Sequence, residues 1–243
     1  IDDSSSMKEP SRYLSFETNT FVTKTRWDEA QETVNIVSEL AVLLDDDGID
    51  VRTLNVDQMY NIRSNEQVTL IFNKVPSGRT PLTRVLRELM MIPSKKPKLI
   101  VIVTDGEPND DNGYSDCNNF YRLLAKRDAI NNRIAILACT TSKKQMEWLN
   151  EIDKIAKHVD VIDDYISERE QILEVQGAEF PYSHGDHILK MLLGPILQKY
   201  DDLDEKKFVR TSGLPVIPIV YDGDDGYDHR YGNFHAKCGC YGC

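Results

Sequence analysis

The chain of 243 residues has no apolar run long enough to cross a bilayer. Its densest apolar stretch, Lys98 to Thr104, has only the length of a buried strand. Cysteines are few and odd in number, five in all, and three of them (Cys238, Cys240 and Cys243) crowd the last six residues. An odd count argues against a complete intrachain disulfide framework. There is also no Asn-x-Ser/Thr acceptor site, and Cys139 sits in an apolar run where a buried thiol is expected. These features point to a reducing, cytoplasmic compartment. No signal peptide is visible, but Ile1 reads as the end of a strand whose beginning lies upstream, which leaves an extracellular origin open.

Positive charge is also scarce. Lysine and arginine total 29 against 40 aspartates and glutamates, a formal net charge of −11. So acidic a surface repels phosphate backbones and argues against nucleic acid as a partner. Cationic partners, or partners bridged by a metal, fit better. Missing too are the G-x-S-x-G elbow, the P-loop and the G-x-G-x-x-G fingerprint, which removes the commonest sequence warrants for a hydrolase, a nucleotidase or a dinucleotide-dependent enzyme.

What is present alternates strand and helix. Ala30, Val34, Val37, Ala41 and Leu44 recur at helical spacing and predict a helix over 26–46. Further helices are expected over 64–74 (Ser64 as N-cap), 81–91 (Pro81 in the first turn), 115–131, 142–156, 167–175 and 185–198. Strands are expected over 49–55, 98–104, 133–140 and 158–162. Residues 7–25 read as a long polar loop. This order implies an α/β fold, a doubly wound, mostly parallel central sheet flanked by helices. The expected division is a domain over 1–199 and an irregular, Cys-containing tail over 200–243 that is acidic and rich in Gly, Pro and Tyr.

Three segments supply hard oxygen donors just after expected strands: Asp2-Asp3-Ser4-Ser5-Ser6, Thr80 in Gly-Arg-Thr-Pro, and Asp105 in Thr-Asp-Gly-Glu-Pro. Hydroxyls and carboxylates suit Mg2+, Ca2+ or Mn2+, and the lack of His and Cys in this set argues against zinc. Parallel sheets bind ligands at the carboxyl ends of their strands, where all three segments fall.

Asp2-x-Ser4-x-Ser6-Met7, then Thr80-Pro81-Leu82, then Val103-Thr104-Asp105-Gly106, in that order, resemble the metal-ion-dependent adhesion site (MIDAS) of von Willebrand factor type A (VWA) domains. The resemblance covers roughly residues 1–200. It implies that Ser4 and Ser6 ligate the metal through their hydroxyls, that Thr80 does so directly or through water, and that Asp2 and Asp105 act through waters or behind the ligands. Asp3 falls at a variable position and is given no ligand role. With neutral hydroxyls dominating the shell, the cation's charge is only partly offset, and one octahedral position is left for a partner's Asp or Glu.

The resemblance therefore implies a non-catalytic, cation-dependent protein-binding or scaffold module. Two other readings stay open: an architectural subunit in which the metal only stiffens loops, and a Mg2+-dependent hydrolase. A haloacid-dehalogenase-like phosphatase places a second acid two residues after its aspartate nucleophile, whereas here Ser4 stands there. Ser183 to Pro195 is similar to a stretch that follows the core in some eukaryotic cytosolic VWA proteins.

Elsewhere, His235, Cys238, Cys240 and Cys243 form H-x-x-C-x-C-x-x-C, a set that would suit Zn2+ or Cu+ but equally a Cys-rich end or pairing with another chain. Asp222-Gly-Asp-Asp-Gly reads as a solvated turn, His184 and His187 as surface or capping residues, and Trp27 and Trp148 as packing residues.

Overall fold

The computed structural model describes residues 1–14, 20–44, 48–56, 58–140, 147–149, 152 and 156–208, with the side chains at 12–14, 42 and 44 left undescribed. Most of the expected 142–156 helix, and the whole of His235, Cys238, Cys240, Cys243 and the Asp222 turn, lie outside these residues. The compact unit that contains the described residues spans 1–209.

The centre of the protein is a parallel three-stranded sheet, β5 (Lys98–Thr104), β6 (Asn132–Ala138) and β7 (Val159–Ile162), in the order β5-β6-β7. Successive side chains of a strand face opposite ways, and here both faces are covered. Val103, Ala135, Leu137 and Cys139 join Trp27, Ala30 and Val34 of α1 (Arg26–Leu44), Val68, Ile71 and Phe72 of α2 (Asn65–Phe72), and Ile188 and Met191 of a later helix. Ile102, Ile134, Ile136 and Ala138 join Leu82, Val85 and Leu86 of α3 (Leu82–Met91) and Phe120 and Leu124 of α4 (Cys117–Lys126). Burial on both sides explains why β5 and β6 are continuous apolar runs without polar alternation. The fold is thus mixed α/β, a parallel sheet flanked by helices.

The first two residues extend this sheet. Asp2 N donates to Val103 O at 2.8 Å on one side. On the other, Ile1 N donates to Arg52 O at 2.7 Å and Ile1 O accepts from Leu54 N at 3.1 Å. Donating and accepting two residues apart along one neighbour is the bonding of a parallel pair. Ile1–Asp2 therefore bridges β5 and the strand β3 (Ile49–Arg52), which itself pairs antiparallel with β4 (Met59–Ile62).

The structure corrects several expectations. Within the stretch expected to be a loop, β1 (Pro10–Leu14) and β2 (Phe21–Thr25) pair antiparallel. Phe21-Val-Thr-Lys-Thr carries strand propensity, but β2 buries none of its side chains fully, so no apolar alternation marked it. The strand β4 was also unforeseen; its four residues bury only Ile62. The 115–131 helix is the shorter α4, because Asp128 accepts from Asn131 N (3.2 Å) and Asn131 Nδ2 (2.7 Å) in a local turn that competes with helix. Pro81 occupies the N-cap of α3, just outside its first turn. After α5 (Tyr165–Gln176), the expected 185–198 helix divides into α6 (His184–Leu193) and α7 (Gln198–Asp201). The break falls at Pro195, which has no N–H to continue the ladder. His187 is not a surface residue but 4% exposed, sharing a hydrogen bond with the Tyr182 hydroxyl at 3.2 Å. Burial, reinforced by Lys190, lowers its pKa to about 3, so it is neutral. Trp27 packs on Phe72 with ring centroids 4.3 Å apart, and Trp148 packs edge-on to Phe120.

No helix among the described residues is long and apolar enough to cross a membrane.

Candidate metal centre

The site is assembled where Ile1–Asp2 and β5 end side by side. Asp2 is fully buried and both its carboxylate oxygens are used: Oδ1 accepts from Ser4 N at 2.8 Å and Oδ2 from the Thr104 hydroxyl at 2.6 Å. The first bond is the Asx-turn geometry an aspartate favours two residues before a turn. It folds the chain back into a 3-10 turn, Ser5–Lys8, anchored in the core by the fully buried Met7. Burial raises the Asp2 pKa to about 6, with repulsion from Asp105 adding to it and the Thr104 and Ser4 bonds opposing it. Asp2 thus shapes the turn that presents the serines.

The two serines and Asp105 meet. Ser4 Oγ and Ser6 Oγ are 3.0 Å apart, and Ser6 Oγ donates to Asp105 Oδ1 at 2.8 Å. Asp105 Oδ2 accepts from Arg26 Nη1 at 2.6 Å, with the Asp105 side chain fully buried and that of Arg26 12% exposed. The chain of contacts is therefore Ser4, Ser6, Asp105, Arg26.

Thr80 is brought to the same corner through its main chain. Its N donates to Asn109 Oδ1 and its O accepts from Asn109 N, each at 2.9 Å, tying the α3 approach to the loop after β5. Thr80 is 5% exposed. Gly78, two residues earlier, has φ +109 and passes so close to Asn55 that a Cβ would meet Asn55 Oδ1 at 2.5 Å. Only glycine suits that position. Asp3 has a fastening role: its Oδ1 accepts from Asn55 N and Nδ2, both at 2.9 Å, and its O accepts from Ser77 N at 2.7 Å.

Sequence reasoning missed Arg26, Glu29, Asn55 and Asn109. A signal existed for Arg26: a cation at a helix N-terminus opposes the helix dipole, so an arginine opening α1 calls for a carboxylate elsewhere. Glu29, one turn on, is 7% exposed, and its Oε2 has no hydrogen-bond partner among the described residues. Burial, then Asp164, raises its pKa to about 7 against the opposing effects of Ser11 and Arg26. Cys139 is a free, buried thiol, pushed well up by burial.

Among the described residues no three His, Cys, Asp or Glu side chains group as a metal site. The donors gathered here are mainly hydroxyls, and they can be tested against an ion's geometry. At a Mg–O distance of roughly 2.0–2.1 Å, adjacent octahedral ligands lie about 3 Å apart. The Ser4–Ser6 separation of 3.0 Å matches such an edge. The serines present neutral donors, Asp105 a charged one beside them, and the set fits a hard divalent cation. A small cavity of about 180 Å³ lined by Asp3, Thr53, Tyr60, Lys74 and Ser77 among others is separate from this set, since Ser4, Ser6, Thr80 and Asp105 do not line it.

Comparison of the chain with family models, characterised proteins and solved structures finds no match.

Proposed function

We propose that this chain is a VWA-type domain with a doubly wound sheet, that it holds one divalent cation, Mg2+ or else Ca2+ or Mn2+, in a MIDAS-type site of Ser4, Ser6, Thr80, Asp105 and Asp2, and that it binds another protein by completing the cation's shell with that partner's carboxylate. The observation that carries the reading is the convergence of Ser4 Oγ, Ser6 Oγ and Asp105 Oδ1 at 2.8–3.0 Å from segments about a hundred residues apart.

The fold supports it. The bridging Ile1–Asp2 segment has β3 on one side and β5 on the other, so the connections leave it in opposite directions. Such a switch point, at the carboxyl ends of the strands, is where open α/β sheets bind ligands. The bound cation would supply Lewis acidity toward an incoming carboxylate. Asp2 orients the serines by fixing their turn, and Asp105 holds Ser6. With two hydroxyls where a phosphatase would have its second acid, the role is binding and not turnover. The odd cysteine count and the lack of an Asn-x-Ser/Thr acceptor favour a cytoplasmic setting.

The test uses synthetic peptides with a central Asp or Glu against their Asn or Gln counterparts, titrated onto the chain in Mg2+ and in EDTA. Binding is expected only where both cation and carboxylate are present, and Ser4→Ala/Ser6→Ala should abolish it. Binding equal in EDTA would overturn the reading.

One observation favours an architectural role instead. The Ser4, Ser6, Asp105, Arg26 chain of contacts ends on a cation, the guanidinium, that the protein itself supplies. On that reading the corner laces three loops together, and stability is indifferent to divalent ions.

A further inference from the structure

We propose that Arg26 is a built-in counter-cation at this site, one that competes electrostatically with the divalent ion for Asp105 and so sets the site's metal affinity. The inference rests on the MIDAS reading and deepens it.

The geometry is specific. Asp105 divides its carboxylate between two uses: Oδ1 accepts from the Ser6 hydroxyl at 2.8 Å and Oδ2 from Arg26 Nη1 at 2.6 Å. A metal drawn to the serines is drawn in part by Asp105, the carboxylate beside them. Arg26 neutralises that attraction from the far side. Asp105 is buried and Arg26 half-buried, its side chain 12% exposed, so salt screens the pair less than it would on the surface. Two cations on one carboxylate at low dielectric repel strongly, since the interaction scales as the product of charges over distance.

The placement of Arg26 fits a tuning role better than a helix-stabilising one. It opens α1, where the helix dipole disfavours positive charge. Its main chain is fixed independently, with Arg26 N donating to Glu9 O at 3.1 Å, so the fold holds Arg26 in place without the side-chain pair. Glu29, one turn further along α1, lies within electrostatic reach of the guanidinium.

The experiment measures Ca2+ and Tb3+ affinity of the full chain by calorimetry and lanthanide luminescence, for wild type, Arg26→Gln and Arg26→Lys, and for Arg26→Gln in an Asp105→Asn background. Arg26→Gln should tighten Ca2+ binding by about tenfold or more, equivalent to at least ~1.4 kcal/mol. Tb3+, carrying the larger charge, should gain more than Ca2+. Arg26→Lys should stay close to wild type, and the gain should vanish without the Asp105 charge. A purely structural role for Arg26 would not produce this ordering by ionic charge. Should Arg26→Gln not fold, the wild type still reports: the Arg26 side-chain N–H resonances should shift and exchange faster with solvent as Ca2+ saturates the chain. Unchanged or weaker binding in Arg26→Gln, or unperturbed Arg26 resonances, would overturn the proposal while leaving the metal site intact. A wild type that binds neither ion would overturn the MIDAS reading and this inference with it.

Discussion

Ser6 Oγ donates to Asp105 Oδ1 at 2.8 Å, joining two residues 99 positions apart in sequence, and through Ser4 Oγ at 3.0 Å it links the first turn of the chain to the end of β5. A hydrogen bond to a charged group contributes roughly 1.5–3 kcal/mol. Ser6→Ala is therefore expected to lose about that much stability even in EDTA, read by urea unfolding. A loss below about 0.5 kcal/mol, the range of inconsequential surface substitutions, would show that the serine does not fasten this corner.

Lys190 sits on the opposite side of the protein's charge balance. It is 1% exposed, 2.9 Å from Glu168 Oε1 and 3.1 Å from Asp204 Oδ1, with Asp160 Oδ1 at 3.9 Å. Burial opposes its charge, but Glu168, Asp160 and Asp204 outweigh that and hold the ammonium above its usual range. The cluster binds β7, α5, α6 and the segment after α7. Gly194 closes it, since a Cβ there would meet Asp160 Oδ2 at 1.5 Å. Lys190→Met leaves three acids without their cation and is expected to cost about 3–5 kcal/mol. Lys190→Met/Glu168→Leu should recover part of the loss. If the single variant unfolded within about 1 kcal/mol of wild type, Lys190 would not be the keystone of this cluster.

Glu29 makes stability depend on pH. Its folded-state pKa is about 7 against an ordinary 4.5, raised first by burial and then by Asp164. The folded chain thus holds a proton that the unfolded chain releases, so this group's contribution is full below its ordinary value and falls as pH rises through about 7. Glu29→Gln should flatten that slope and be more stable than wild type at pH 8, by at most ~2–3 kcal/mol. Melting curves from pH 5 to 8 for the two proteins give the difference. Identical slopes would mean that Glu29 does not carry the proton.

Much of this was legible in sequence, for physical reasons particular to each element. The strands β5 and β6 announce themselves because burial on two faces leaves no room for polar residues. The helix α1 shows its buried stripe in Ala30 and Val34. Ser4, Ser6 and Asp105 were legible as oxygen donors at strand ends, and the structure brings these three together. Strand β2 was not legible, since a strand that buries little carries no apolar period. The Arg26–Asp105 pair was half legible: an arginine opening α1 calls for a carboxylate, but partners 79 residues apart leave no local pattern that names it. His187 was misread for a related reason: a histidine buried neutral against Tyr182 looks, in sequence, like any capping residue.

On the proposed reading, the serine–aspartate corner holds a divalent cation. Thermal unfolding of the chain in EDTA, Mg2+, Ca2+ and Mn2+, beside Ser4→Ala/Asp105→Ala, decides whether it does. A cation at ~100 times its dissociation constant should stabilise the fold by about 2.7 kcal/mol, a rise of several degrees in Tm for a protein of this size, and the double variant should show none. A wild-type Tm that no cation moves would contradict the claim and leave the corner as a structural lace.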